Sequence, residues 1–223
     1  MVMTKTAFFI AAMLGMAAVI VVSNVLVQYP LAGSVGPLAL GDLLTWGAFT
    51  FPLAFLVTDF ANRAFGAAKA RQVVLVGFAV AVVLSFVFAT PRIALASGLS
   101  FLVAQMLDVQ LFAHLNRGQK KAAWWQPPAV SSFFGSMVDT ALFFTLAFAA
   151  FLTPLVGFGD GFATEMAPLF GLLALDAPRW VSWALGDLSI KLLAIPVLLF
   201  PYRLLLLATG LDAPRAEGSG MAA

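Results

Sequence analysis

The chain has 223 residues, of which 62% are hydrophobic and only 10% charged, with a mean hydropathy of +1.02. A water-soluble domain of this size could not keep so much apolar surface from aggregating, so the solvent is lipid. The net charge of +2 is spread between apolar runs, which excludes a nucleic-acid patch, and the lack of cysteine excludes a disulfide framework or a thiolate metal site.

Inside hydrocarbon each segment must satisfy its own backbone hydrogen bonds, which leaves helices or a closed barrel. The apolar runs are about twenty residues long and apolar all round, whereas barrel strands are about ten residues of alternating polarity. Helices follow. In chain order the spans are Thr6–Tyr29, Leu43–Ala61, Ala70–Ala89, Ile93–Ala113, Ala129–Thr153 and Trp180–Leu207. The expected fold is therefore an all-α integral membrane protein, a bundle of six transmembrane helices filling residues 1–211. The first run is too long for a signal-peptide core, and polar Ser23, Asn24 and Gln28 stand where cleavage would fall. Pro52 and Pro196 predict kinks in the second and sixth spans. The segment from Pro154 to Arg179 is the longest connection and predicts a short interfacial helix around Phe162–Leu175. Trp124, Trp125, Trp180 and Trp183 fall near span ends, where interfacial anchoring suits them. Residues 212–223 are small and polar and predict a short disordered cytoplasmic tail.

The distribution of Lys and Arg orients the bundle. Lys5, Arg63, Lys69, Arg71, Arg117, Lys120, Lys121, Arg203 and Arg215 fall on one side, and only Arg92 and Arg179 on the other. That asymmetry places both termini in the cytoplasm.

The residues that cost most to insert are Asp108, Asp139, Asp187 and Lys191, each at about 2.5–3.5 kcal/mol near the membrane centre. Asp187 and Lys191 are four residues apart on one helical face and can pair, and Asp59 and Arg63 repeat that spacing near the cytoplasmic end of the second span. Asp139 and Asp108 have no local partner. By depth, Lys191 falls level with Asp139, so a contact between helices is expected that would leave one carboxylate of Asp139 and Asp187 for a ligand. The other reading of this cluster is a polar lock between helices. Ser97, Ser131, Ser132, Ser136 and Thr140 read as helix contacts, while Asn24 and Gln105 are dearer to bury.

No Walker A sequence is present, His114 stands alone at a helix end, and Gly157–Gly161 lacks the flanking strand and helix of a phosphate cradle. A zinc cluster or a Ser-His-Asp arrangement cannot be assembled from such a composition. The sequence argues against an enzyme and calls for no cofactor or metal.

The costly positions also resemble a known family. The segments are Ser23-Asn-Val-Leu-Val-Gln-Tyr-Pro30, Trp46-Gly-Ala-Phe-Thr-Phe-Pro52, Thr58-Asp59, Phe65-Gly66 with Ala70-Arg71, Arg92-Ile-Ala, Ala96-Ser97 and Gln105-Met-Leu-Asp108-Val. Trp124-Trp125, Phe134-Gly135, Asp139-Thr140 and Asp187 with Lys191 continue the pattern. The chain is similar over most of its length to the queuosine precursor transporters, also called vitamin uptake transporters. Some members carry Glu where Arg63 stands and His where Gln110 stands. The resemblance implies uptake of 7-deazaguanine bases, precursors of queuosine in transfer RNA, across the bacterial inner membrane. A guanine-like edge offers adjacent N–H donors that a carboxylate accepts bidentately, and its flat ring stacks on aromatics. Asp139 is the leading acceptor, with Asp187, Lys191, Gln105 and Asn24 around it, Asp59 and Asp108 as second choices, and Phe133, Phe134 or Phe143 as stacking surfaces.

Two rival readings remain beside this importer of a small purine-like base. One is the substrate-capture subunit of an ATP-driven complex, docking through the small-residue stripe Ala7, Ala11 and Gly15, although packing inside the bundle is the preferred reading of that stripe. The other is a structural membrane protein whose charges only lock helices together. The importer reading requires no ATPase partner, and a homo-oligomer is compatible with it.

Overall fold

A computed structural model of the protein describes residues 4–118 and 123–211. Lys120, Lys121, Arg215, the side chain of Arg117 and the expected tail at 212–223 lie outside the described residues. Among the described residues five helices are long and apolar enough to cross a membrane: α1 (Lys5–Leu26), α4 (Ala67–Phe88), α5 (Pro91–Gly118), α6 (Gln126–Phe148) and α9 (Arg179–Thr209). Between α1 and α4 lie a hairpin of β1 (Ser34–Val35) and β2 (Leu38–Ala39), a single turn α2 (Gly47–Thr50) and the 13-residue α3 (Leu53–Phe65). The short helices α7 (Thr153–Val156) and α8 (Gly161–Thr164) and a hairpin of β3 (Met166–Pro168) and β4 (Asp176–Pro178) connect α6 to α9.

The segment expected as a second continuous span is thus divided. Pro52 stands at the junction of α2 and α3, where its missing N–H and fixed φ interrupt the backbone ladder. By contrast α9 runs on through Pro196 and Pro201. The interfacial helix expected at Phe162–Leu175 is reduced to one turn, Gly161–Thr164, opened by Asp160, whose Oδ1 accepts from the Ala163 N–H at 3.0 Å. Beyond it the chain turns back as the β3–β4 hairpin, with Phe170 at φ 57° in the loop, a conformation no helix continues through.

The shortest of the main helices is the most enclosed. α3 packs against α1, α4, α5 and α9, and buries Ala54, Phe55, Thr58, Asp59, Phe60, Ala61 and Asn62. A broken helix is tolerated at membrane depth only where protein surrounds it, because lipid cannot bond the freed backbone groups. α5 lies between α4 and α6, and α9 packs on α6. The core under α3 is aliphatic and aromatic: Met16, Ile20, Ala61, Val73, Val74 and Val109 are buried together. Gly77 admits α1 and α5 there, since a Cβ at that position would stand 2.7 Å from Met16 Cγ. Large apolar side chains such as Phe86, Phe151 and Phe200 point outward, as a lipid-facing surface requires. The small-residue stripe on α1 does not pack inside the bundle: Ala11 is exposed, and a Cβ on Gly15 would meet nothing within 4 Å.

Arg92, read from the sequence only as a charge that orients the bundle, is a buried clamp. It is 2% exposed at the start of α5 and donates from Nε to the Leu146 carbonyl at 2.8 Å, from Nη2 to the Ala149 carbonyl at 2.7 Å, and from Nη1 to Thr153 Oγ1 at 3.0 Å. Those carbonyls end α6, where the helix dipole is negative and the last C=O groups have no intrahelical partner. The guanidinium therefore ties the start of α5 to the end of α6 without a carboxylate. Arg92→Ala should destabilise the folded protein by about 2–3 kcal/mol, the cost of losing charge-assisted bonds and leaving acceptors unpaired. Thermal unfolding in detergent, monitored by tryptophan fluorescence, reads this as a lowered midpoint, and Arg92→Lys should recover part of it.

Candidate functional site

A cavity of about 1050 Å³ opens among α1, α5, α6 and α9 at the end of the bundle that carries both hairpins. Each wall follows from local sequence. The last turn of α1 supplies Asn24 and the turn after it Gln28, and both donate to carbonyls of α1, Asn24 Nδ2 to Ile20 O at 2.9 Å and Gln28 Nε2 to Asn24 O at 3.3 Å. Buried α5 supplies Ser97, Ser100 and Gln105. Thr58 of α3 donates to Gln105 Oε1 at 2.6 Å and holds that amide in place.

One wall is aromatic. Phe143, Phe144 and Phe148 of α6 meet Trp183 of α9 and Phe162 of α8, with ring centres 5.0 Å apart for Phe143 and Phe144, 5.5 Å for Phe148 and Trp183, and 6.2 Å for Phe162 and Trp183. Trp183, expected as an interfacial anchor, is thus part of the cavity wall. At the mouth, Arg179 lies over the Phe162 ring at 4.6 Å and donates from Nε to Glu165 Oε2 at 3.1 Å.

The floor is ionic. Lys191 Nζ lies 2.7 Å from Asp139 Oδ2 and 2.6 Å from Asp187 Oδ2, and donates to Thr140 Oγ1 at 3.1 Å. Thr140 in turn donates to Asp187 Oδ2 at 2.7 Å. The three N–H bonds of the ammonium match these three acceptors. Both expected contacts of Lys191 form at once, so neither carboxylate is left free of it. All three line the cavity, but Lys191 is 5% exposed while the side chains of Asp139 and Asp187 keep 20% and 16%, so the acids are the more accessible groups. One cation between two anions leaves the floor with a surplus negative charge, suited to a ligand that presents N–H donors.

The remaining residues singled out in the sequence lie elsewhere. Asp59 and Asp108 do not line the cavity. They sit buried between α3, α5 and α6, and Ser131 and Ser132 donate to Asp59 at 3.2 and 3.1 Å. The expected Asp59–Arg63 pair is replaced by these serine contacts, and Arg63 instead donates from Nη1 to Asn116 Oδ1. Phe133 and Phe134 are 40% and 47% exposed and do not line the cavity, whereas Phe143 does. Phe144, Phe148, Phe162, Trp183 and Arg179 were not among the residues expected at the site. A run of Phe on one apolar helix gives no sign of which members face a void.

The floor carries a stability test. Lys191→Met strands two adjacent buried carboxylates and should cost about 3–5 kcal/mol, as for other buried pairs broken from one side. Asp187→Asn leaves Lys191 paired with Asp139 and should cost less. Guanidinium unfolding of both variants in detergent would rank them, and equal midpoints would show that the triad is not the lock it looks like.

The family model described as putative vitamin uptake transporter matches residues 45–90 and 85–205. A protein of Escherichia coli (strain K12) named queuosine precursor transporter is 32% identical over 203 residues, covering 82% of this chain and 79% of that protein. A probable queuosine precursor transporter of Haemophilus influenzae is 36% identical over 156 residues, 58% of this chain and 65% of its own length. One of Bacillus subtilis (strain 168) is 28% identical over 132 residues, 47% of this chain and 58% of its own length. No solved structure matches the chain.

Proposed function

The chain belongs to the vitamin uptake transporter family, with the queuosine precursor transporters, and on that premise we propose that it imports 7-deazaguanine bases through the cavity above Lys191. The observation that carries the reading is the juxtaposition of two lysine-held carboxylates with an aromatic wall in one cavity. The amide N–H and exocyclic amine of a guanine-like base form an adjacent donor pair. Asp139, the more exposed of the two acids, accepts it, while the flat ring lies against Phe143, Phe148 or Trp183. Gln105 and Asn24 supply further polar edges on the opposite wall, and Asp187 and Lys191 hold Asp139 in place.

The bundle makes six crossings in this reading, with α2 and α3 together forming a broken second crossing shielded by their neighbours. Both termini are cytoplasmic, in the bacterial inner membrane. The hairpin end is then external, and the cavity is open to the side from which the base arrives. The cysteine-free sequence makes this directly testable. A single cysteine at Pro37 should react with a membrane-impermeant maleimide added outside intact spheroplasts, and one at Lys69 only after lysis.

The stripe on α1 that faces out of the bundle suits the capture-subunit reading as well as lipid contact, so the energising partner needs its own control. Cells that neither make nor import the queuosine precursor, given external deazaguanine base and this chain alone, should regain queuosine in their transfer RNA. Asp139→Asn at equal protein level should lower that recovery at least about tenfold, the loss expected when a charged acceptor becomes a mismatched amide worth some 1.5–3 kcal/mol. No recovery from well-inserted protein would point to another substrate or to a required partner. Recovery undiminished in the variant would remove Asp139 from the site.

A further inference from the structure

Beyond the cavity floor lies a second polar centre whose acids do not line the cavity. Asp59 on α3 and Asp108 on α5 are 2% and 0% exposed, and their carboxyl groups are close enough to act on one another electrostatically. Ser131 and Ser132 of α6 donate to Asp59. Neither oxygen of Asp108 has a hydrogen-bond partner among the described residues. The hydroxyl of Tyr202 on α9, in a side chain 1% exposed, is likewise without one, and Tyr202 walls the same small void as Asp59. Among the described residues the other charged side chains are engaged elsewhere or lie toward helix ends. Arg63 bonds to Asn116, Lys191 holds Asp139 and Asp187, and Arg203 lies over the Trp124 ring at 4.9 Å. Lys5, Lys69 and Arg71 sit in the first turns of α1 and α4, and His114 is exposed near the end of α5.

Two carboxylates in such a place cannot both be ionised, because each would lose its hydration and repel the other in a medium of low dielectric. A proton between them relieves both costs at once. A metal ion is a poorer fit, since it needs several oxygens at more than about 2 Å and room for itself, and Asp108 borders neither cavity in this region. The pair is also connected to the substrate site. A void of about 20 Å³ is walled by Asp59, Ser132, Ser136 and Tyr202, and two of its other walls, Phe55 and Lys191, line the large cavity as well. That volume is about one water molecule. Phe55 can sit in this partition because α6 presents Gly135 to it, where a Cβ would stand 2.7 Å from the ring.

We infer that the Asp59–Asp108 pair is the proton-carrying site that drives import: a proton enters from the cavity past Lys191 and the single-water void, resides on the pair while the base is bound, and leaves with it on the cytoplasmic side. Asp139 and Asp187 are poor carriers by comparison, because each is already paired with Lys191. The inference rests on the importer reading, and the two fail in different ways.

The test uses the full chain in proteoliposomes with radiolabelled 7-deazaguanine. Counterflow exchange needs binding and alternation but no driving ion. Absence of counterflow in the wild-type protein would overturn the importer reading itself. With counterflow present, an imposed pH gradient, acid outside, should concentrate the base by about tenfold per pH unit for one proton per neutral base. Asp59→Asn and Asp108→Asn should keep counterflow and lose this accumulation. Accumulation that ignores the pH gradient, that follows a sodium gradient instead, or that survives in both variants would overturn the proton site. Should the variants lose counterflow as well, infrared spectroscopy of the wild-type protein decides. The carbonyl stretch of a protonated buried acid should be present at neutral pH and shift when 7-deazaguanine binds, and its absence would overturn the proposal.

Discussion

An ammonium group placed between two carboxylates, away from water, sets the register of the two helices that carry them. Lys191 cannot be buried alone, since the loss of hydration would outweigh any packing gain, and removing it would leave two neighbouring carboxylates without their partner. The pairing across α6 and α9 therefore admits one relative depth, the one that brings Asp139 within 2.7 Å of a residue 52 positions later. Such a lock is weak evidence for stability in itself, because two apolar residues would pack as well. What apolar residues would not provide is a charged floor under an open cavity.

The same constraint explains why the polar residues lie where they do. α3 is too short to cross a bilayer by itself, and its Thr58, Asp59 and Asn62 would be costly against lipid. Surrounded by α1, α4, α5 and α9, they meet protein partners instead: Gln105 for Thr58, two serines for Asp59, and the Val109 carbonyl for Asn62 at 2.9 Å. The broken, polar helix is the interior element, and the long apolar ones form the wall against lipid. The polar groups then divide by depth, with the open cavity above Lys191 and the acid pair below it, parted by one aromatic ring and one lysine.

Much of the site was legible because charge is expensive in lipid. Asp139, Asp187 and Lys191 stand out in an apolar sequence, the spacing of four joins the last two, and counting residues from each span end brings Asp139 level with Lys191. Asp59 and Asp108 stood out for the same reason, yet nothing in their positions shows that they share a separate compartment. Arg92 read as a topological charge and is a clamp on the end of α6, because its acceptors are backbone carbonyls, which every residue has. Trp183 read as an anchor and is a cavity wall, because proximity to a span end is compatible with both.

What the sequence alone determined is the solvent, the helical class, the approximate spans and the identity of the costly groups, all of which follow from the free energy of placing particular residues in hydrocarbon. The tertiary structure decided which costly groups meet. It split the second apolar run at Pro52, enclosed the resulting short helix, turned Phe143, Phe148 and Trp183 toward one void that Phe134 does not line, and set Asp59 against Asp108 rather than Arg63. Those outcomes depend on helix rotation and on which side chains fill the gaps between helices, quantities that a periodicity of 3.6 residues leaves open when a helix is apolar on every face.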